Sequence, residues 1–243
     1  MKFRLLPLLA LLSSGAYAAG GGNLMHAEVD LGNRASLQRG ARTFVNYCVS
    51  CHSAGYARYS RVAADLGIPE KVVAENMMFT TEKVGDTMQV AMRKEDGEAW
   101  FGVAPPDLSV VARARGADWL TTFLSTFYLD PKRPTGVNNL AFTDTAMPHV
   151  LWELQGLKRA STETRAEGGR EVAHITGLET VSAGLESDEE YAGTVRDLVN
   201  FLVYLGEPAK LVRYKIGFWV MLFLFGFFWI AYLLKKEYWR DVH

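Results

Sequence analysis

Gly40-Ala41-Arg42-Thr43-Phe44-Val45-Asn46-Tyr47-Cys48-Val49-Ser50-Cys51-His52 contains both cysteines of the 243-residue chain. Two cysteines three residues apart, with a histidine next in line, allow four chemistries. Structural zinc needs four ligands, and the other histidines (His26, His149, His174, His243) are scattered singly. A thioredoxin-like redox pair sits in a βαβ context, whereas the residues before Cys48 read as a helix. A disulfide closing so small a loop stabilises little. Covalent haem attachment uses all three residues: the thiols add to the two porphyrin vinyl groups, and the adjacent imidazole becomes the proximal iron ligand.

The flanking pattern predicts the frame for that motif. Ser36 is expected to cap a helix running to about Tyr47, with Gly40 and Phe44 one turn apart on one face. Far downstream, Ser187-Asp188-Glu189-Glu190 is a capping box. Tyr191, Val195, Leu198, Val199, Leu202 and Leu205 follow at helical spacing, and Gly206-Glu207-Pro208 ends the run. The expectation is two helices crossing closely at Gly40. Pro69 is expected to start a further helix carrying Val72 and Val73. Asp118 is expected to cap another that presents Trp119, Leu120, Phe123, Leu124 and Phe127 before Pro131 and Pro134. Gly156 to Gly184 is polar and turn-rich and reads as a long surface insertion. Strand signals are weak throughout, so the fold is mainly α.

Both ends are apolar for different reasons. Lys2 and Arg4, the run Leu5 to Leu12, and Ala16-Tyr17-Ala18 form a secretory leader cut after Ala18. Ile216 to Leu234 is a stretch of 19 residues without charge, about 28 Å as a helix. Lys215, Lys235 and Lys236 border it, and Trp219, Trp229, Tyr232, Tyr238 and Trp239 supply interfacial aromatics. Basic residues tie across this span: Lys210, Arg213 and Lys215 before it, Lys235, Lys236 and Arg240 after it. The leader decides the orientation, giving a signal peptide at 1–18, a periplasmic haem domain at 19–212, an anchor at 213–235 and a cytoplasmic tail at 236–243. The address is the bacterial inner membrane. Ala19 to Tyr214 holds 20 Lys and Arg against 25 Asp and Glu, which argues against a nucleic-acid partner.

The sixth iron ligand stays open on these grounds. Candidates are Met25, Met77, Met78, Met88, Met92 and Met147, with His26, His149 and His174. Most of these methionines suit gap filling in a core. Met147 differs because it lies in Thr143-Asp144-Thr145-Ala146-Met147-Pro148, a stretch that Pro148 stiffens; His149 is its rival.

Taken together, the chain resembles cytochrome c1, the haem subunit of the quinol–cytochrome c reductase (cytochrome bc1) complex. Four features carry the resemblance: Gly40-x-x-x-Phe44 leading into Cys48-Val49-Ser50-Cys51-His52, then Pro105-Pro106-Asp107-Leu108-Ser109 continuing to Arg113-Ala114-Arg115, the loop around Met147-Pro148, and Phe201-Leu202-Val203-Tyr204-Leu205-Gly206-Glu207-Pro208 running into the anchor. It implies a cytochrome c-like haem domain with long loop insertions plus one C-terminal transmembrane helix. It implies one covalent haem c on Cys48 and Cys51, with His52 and Met147 as axial ligands and Arg115 beside a propionate. It also implies a Rieske iron–sulfur protein as donor, a c-type cytochrome as acceptor, and a cytochrome b subunit as neighbour in a dimeric multisubunit complex. The chain by itself would be an electron carrier and not an enzyme. Two departures stand out: His149 follows Pro148 where relatives often have further prolines, and there is no second cysteine pair. Three other functions fit parts of the sequence: a thiol–disulfide oxidoreductase, a ligand-binding or peroxidase-like haem protein, and a monohaem subunit of a terminal oxidase.

Overall fold

The computed structural model describes residues 24–167 and 170–241; the leader at 1–18 lies outside them. Helix α1 (Arg34–Tyr47) starts one turn earlier than the pattern suggested. Asn33, not Ser36, is the N-cap, its side chain accepting from Ser36 N–H at 3.1 Å. Both residue types cap well, but the Ser36 hydroxyl is buried and donates to Asp197 Oδ1 at 2.6 Å. A tertiary partner has claimed the group that sequence assigned to the cap.

Helix α8 (Asp188–Gly206) begins at the expected capping box: the Ser187 hydroxyl accepts from Glu190 N–H and the Glu190 carboxylate accepts from Ser187 N–H. Tyr191, Val195, Leu198, Val199, Leu202 and Leu205 are all buried. Each such side chain stabilises the fold by about 1.5–3 kcal/mol. The helix lies against α1, and the closest approach is at Gly40, where a Cβ would overlap the Asp197 carbonyl and reach within 2.8 Å of Phe201 Cβ. One turn on, the Phe44 and Phe201 rings meet at 5.5 Å. The predicted glycine crossing is present.

Between these helices the chain forms β1 (Ala54–Arg58), α2 (Tyr59–Leu66), α3 (Glu70–Asn76), β2 (Thr87–Met88), α4 (Lys94–Phe101), α5 (Val111–Arg115) and α6 (Ala117–Ser125). Pro69 stands at the N-cap of α3, as expected; of the two valines of that helix, Val73 is buried and Val72 is exposed. For α6 the expectation is corrected. The cap is Gly116, and Asp118 lies inside the first turn, where a carboxylate suits the helix dipole and accepts from Ala27 N–H at 2.8 Å. Next come β3 (Phe127–Leu129) and β4 (Val137–Asn139), an antiparallel pair, and then α7 (Trp152–Gln155).

The segment expected as a long, turn-rich surface insertion forms a long antiparallel hairpin, β5 (Gly156–Glu167) and β6 (Arg170–Ala183). Its register places Arg159 opposite Glu179 and Glu163 opposite His174. No apolar face alternates along it, so the period-two signal that reveals a half-buried strand was missing; backbone pairing between the strands builds it instead. Its two ends close on α7 through Leu185 N–H to Glu153 O at 2.9 Å and Glu186 N–H to Leu154 O at 3.1 Å. Helices still dominate the chain, and the fold is mainly α.

Helix α9 (Lys210–Tyr238) has 29 residues, about 43 Å of helix. The most apolar 18-residue window within Val212–Tyr238 has a mean hydropathy of 2.1 and no buried part, so the helix is long and apolar enough to cross a membrane. An ion pair between Arg213 and Glu207 bridges its junction with α8.

Candidate haem site

Helix α1 delivers the two cysteines. Its end is closed by Cys48 N–H and Val49 N–H, both donating to Phe44 O, at 2.8 and 3.1 Å. A turn follows at once, with Cys51 N–H and His52 N–H donating to Cys48 O at 3.0 and 2.8 Å. The Gly40 crossing therefore fixes where α1 delivers the motif, because α1 cannot slide on α8 without a backbone clash. Both cysteines are free thiols, Cys48 buried and Cys51 half-buried. Burial, and then the neighbouring Cys51, push the Cys48 thiol up to about 12. Catalytic redox pairs work through a lowered thiol pKa, so the environment of Cys48 disfavours thiol–disulfide chemistry.

The histidine is oriented from a distance. His52 Nδ1–H donates to Pro106 O at 2.8 Å, which leaves the Nε2 lone pair as the metal-binding face. Burial lowers the His52 pKa, with the Pro106 carbonyl and Asp107 opposing it; the neutral ring is the form that ligates iron. Pro106 is itself held, because the Pro105–Ser109 segment is laced to the residues after the motif. Leu108 N–H donates to Ser53 O at 2.8 Å, Gly55 N–H to Asp107 Oδ2 at 2.8 Å, and Tyr56 N–H to Ser109 Oγ at 3.0 Å. The second Asp107 oxygen accepts from Ser109 N–H at 2.7 Å. Carboxylate-assisted bonds are the stronger kind, and here they fix a carbonyl that fixes a ring. Sequence reading singled out this element only through resemblance; the position-by-position roles of Pro106, Asp107 and Ser109 had no local signal.

Met147 lies in the loop between β4 and α7, half-buried and packed against the same core that contains Cys48 and Val49. Its N–H donates to Thr145 Oγ1 at 3.3 Å. The rival His149 is buried with its ring stacked flat on Phe127, centroids 4.9 Å apart and planes 4° apart. Burial brings its pKa down to about 4. Met77 and Met88 are core residues, Met88 sitting opposite Ala54 in the β1–β2 pair, while Met25 is exposed. Arg115, at the end of α5, is exposed; its guanidinium carbon lies 5.1 Å from the Trp119 ring centre and 5.8 Å from that of Phe142. Phe142 belongs to the Met147 loop. The structure thus joins Cys48, Cys51 and His52 to the Pro105–Ser109 segment, and Arg115 to the loop carrying Met147, while Cys48 and Met147 pack on one core.

Two unbridged thiols one turn apart, an imidazole presenting Nε2 and a thioether on a half-buried loop form a donor set that fits a covalently held haem.

The comparisons with known proteins agree in outline. The chain matches the Cytochrome C1 family over residues 28–242. It is 51% identical over 241 residues to cytochrome c1 of Allochromatium vinosum, covering 99% of this chain and 97% of that protein. It is 47% identical over 239 residues to a Nitrosomonas europaea protein named ammonia monooxygenase gamma subunit, covering 97% of each. A Bradyrhizobium diazoefficiens protein named cytochrome b/c1 is 27% identical over 247 residues, covering 87% of this chain and 34% of that protein.

Proposed function

This chain belongs to the cytochrome c1 family, and on that premise we propose that it accepts single electrons from a Rieske iron–sulfur protein and passes them to a c-type cytochrome. The family is that of the haem subunit of the cytochrome bc1 complex, an electron-transfer part of a reductase. Cys48 and Cys51 would tether one haem c, which would supply a one-electron Fe(III)/Fe(II) couple. The observation that carries the reading is the His52–Pro106 bond: a distant carbonyl holds the imidazole in the tautomer that ligates iron.

His52 and Met147 would together hold the haem iron, which would leave oxygen and peroxide no ligand position and make electron transfer the chemistry the group supplies. The Met147 thioether is neutral and favours the less charged ferrous state, raising the potential. Arg115, steadied by the Trp119 and Phe142 rings, offers its guanidinium to a propionate. α9 crosses the inner membrane at 213–235 with the haem domain on the periplasmic side, keeping the site at high effective concentration beside cytochrome b. A protein named cytochrome b/c1 among its relatives supports that neighbour, and the complex is a dimer.

The test pairs an alkaline pyridine spectrum with an oxidised spectrum of the parent and of Met147→His. The expected result is a c-type haem and a thioether–iron charge-transfer band at the red edge that the substitution abolishes, with a lower potential. A band that survives the substitution removes Met147 from the site, and a colourless protein ends the whole reading.

A further inference from the structure

The loop that carries Met147 has no helix or strand from Leu140 to Leu151, yet a ligand must be presented to its metal in one position. We infer that Asn138 and Asn139 are positioning residues that hold this loop so that the Met147 sulfur has a single placement; the inference rests on Met147 being the sixth ligand.

Asn139 is fully buried. Its Nδ2 donates to Phe123 O on α6 at 2.7 Å, and its Oδ1 accepts from Ala141 N–H at 2.8 Å and Phe142 N–H at 3.2 Å. Asn138 is almost as buried, at 6% exposure. Its Nδ2 donates to Asp130 Oδ2 at 3.0 Å, while its Oδ1 accepts from Asn139 N–H at 2.9 Å and Asp144 N–H at 2.8 Å. Three of the backbone amides fed by this pair thus lie in residues 141–144, just ahead of the ligand. Asp144 is the one non-glycine residue with positive φ among the described residues, at 61°. Arg133 grips it twice, through its carbonyl at 2.9 Å and its carboxylate at 3.0 Å. Buried Thr145 then accepts from Met147 N–H. Beyond the ligand, His149 lies on Phe127, whose strand partner is Asn139. Both ends of the loop are therefore tied to one two-stranded ribbon.

A strand of this size would be held more cheaply by two apolar side chains, because buried amides cost free energy unless every group is satisfied. Here the amides are spent on loop backbone that apolar side chains could not hold. Strained backbone at a point of function is the pattern expected when the surroundings over-determine a geometry.

The test uses the full-length haem-loaded protein and two readouts: the thioether–iron band of the oxidised form, and carbon monoxide binding by the reduced form, which a firmly held ligand excludes. Met147→His first establishes that the band reports Met147. Asn138→Ala leaves the Asn139 and Asp144 N–H groups without their acceptor, and Asp144→Val disfavours the left-handed backbone at an exposed residue. Both should weaken the band and raise the carbon monoxide-bound fraction about tenfold, the size of effect expected when a loop restraint worth roughly one hydrogen bond is lost. Asp144→Gly, which adopts positive φ freely, should stay within about twofold of the parent. If Met147→His spares the band, the ligand assignment fails. If Met147→His abolishes it while Asn138→Ala and Asp144→Val both match the parent, the ligand stands and the positioning role is overturned. An Asn138→Ala protein that does not take up haem leaves Asp144→Val to decide, and a glycine as damaging as valine also overturns the role.

Discussion

Adding one methyl group at Gly40 is the sharpest test of how the haem motif is placed. The new Cβ would overlap the Asp197 carbonyl and sit 2.8 Å from Phe201 Cβ. Neither neighbour is the end of a flexible side chain, so α1 and α8 must separate. Separation also stretches the bonds that cross there: Ser36 Oγ to Asp197 Oδ1 at 2.6 Å, Asn200 Nδ2 to Ser36 Oγ at 2.8 Å and Arg39 Nε to Asp197 Oδ2 at 2.5 Å. Overpacking a core by one methyl costs about 1–3 kcal/mol. With backbone as the obstacle the upper end applies, about 3 kcal/mol, and for a chain of this size each kcal/mol moves Tm by about 2–4 °C. Gly40→Ala should therefore melt about 6–12 °C below the parent, followed by far-UV circular dichroism of the full-length protein in detergent. Gly217, on α9, has nothing within 4 Å of its Cβ position, so Gly217→Ala should stay within about 2 °C. A Gly40→Ala protein that melts like the parent would refute the claim that the two helix backbones touch at this residue.

Two further outcomes follow from the electrostatics. Backbone and side-chain bonds from Ser187 hold the Glu190 carboxyl below its ordinary value, so the box contributes stability above the usual glutamate range and loses it as pH falls through the depressed pKa. Ser187→Ala should cost about 1 kcal/mol near neutral pH and flatten that acid limb, read from urea unfolding at pH 7 and at successively lower pH. In haem-free precursor, a Cys48 thiol near 12 is ionised at pH 8 to only about one part in ten thousand. Cys51 should then be alkylated by iodoacetamide more than about tenfold faster than Cys48, measured by mass spectrometry; equal rates would contradict the burial of Cys48.

Some misreadings share one cause. Ser36 and Asp118 both have good capping chemistry, yet their side chains serve the α1–α8 crossing and the Ala27 N–H. The hairpin at Gly156–Ala183 escaped because two polar faces carry no alternation, so its strands exist through pairing with each other. In each case the deciding partner was remote along the chain or lacked a pattern.

What the amino-acid order determined alone is the local chemistry: thiols and imidazole at covalent spacing in Cys48-Val49-Ser50-Cys51-His52, the apolar face and capping box of α8, the glycine at position 40, and the apolar run that becomes α9. Such features repeat at the helical period or sit next to one another, so neighbouring residues suffice to reveal them. Tertiary structure alone decided that the Pro106 carbonyl orients His52 across 54 residues, that His149 is occupied by Phe127, and that Asn138 and Asn139 anchor the Met147 loop. Those choices are hydrogen bonds and ring contacts between segments brought together by packing, and a single buried amide leaves no periodic trace in the sequence that encodes it.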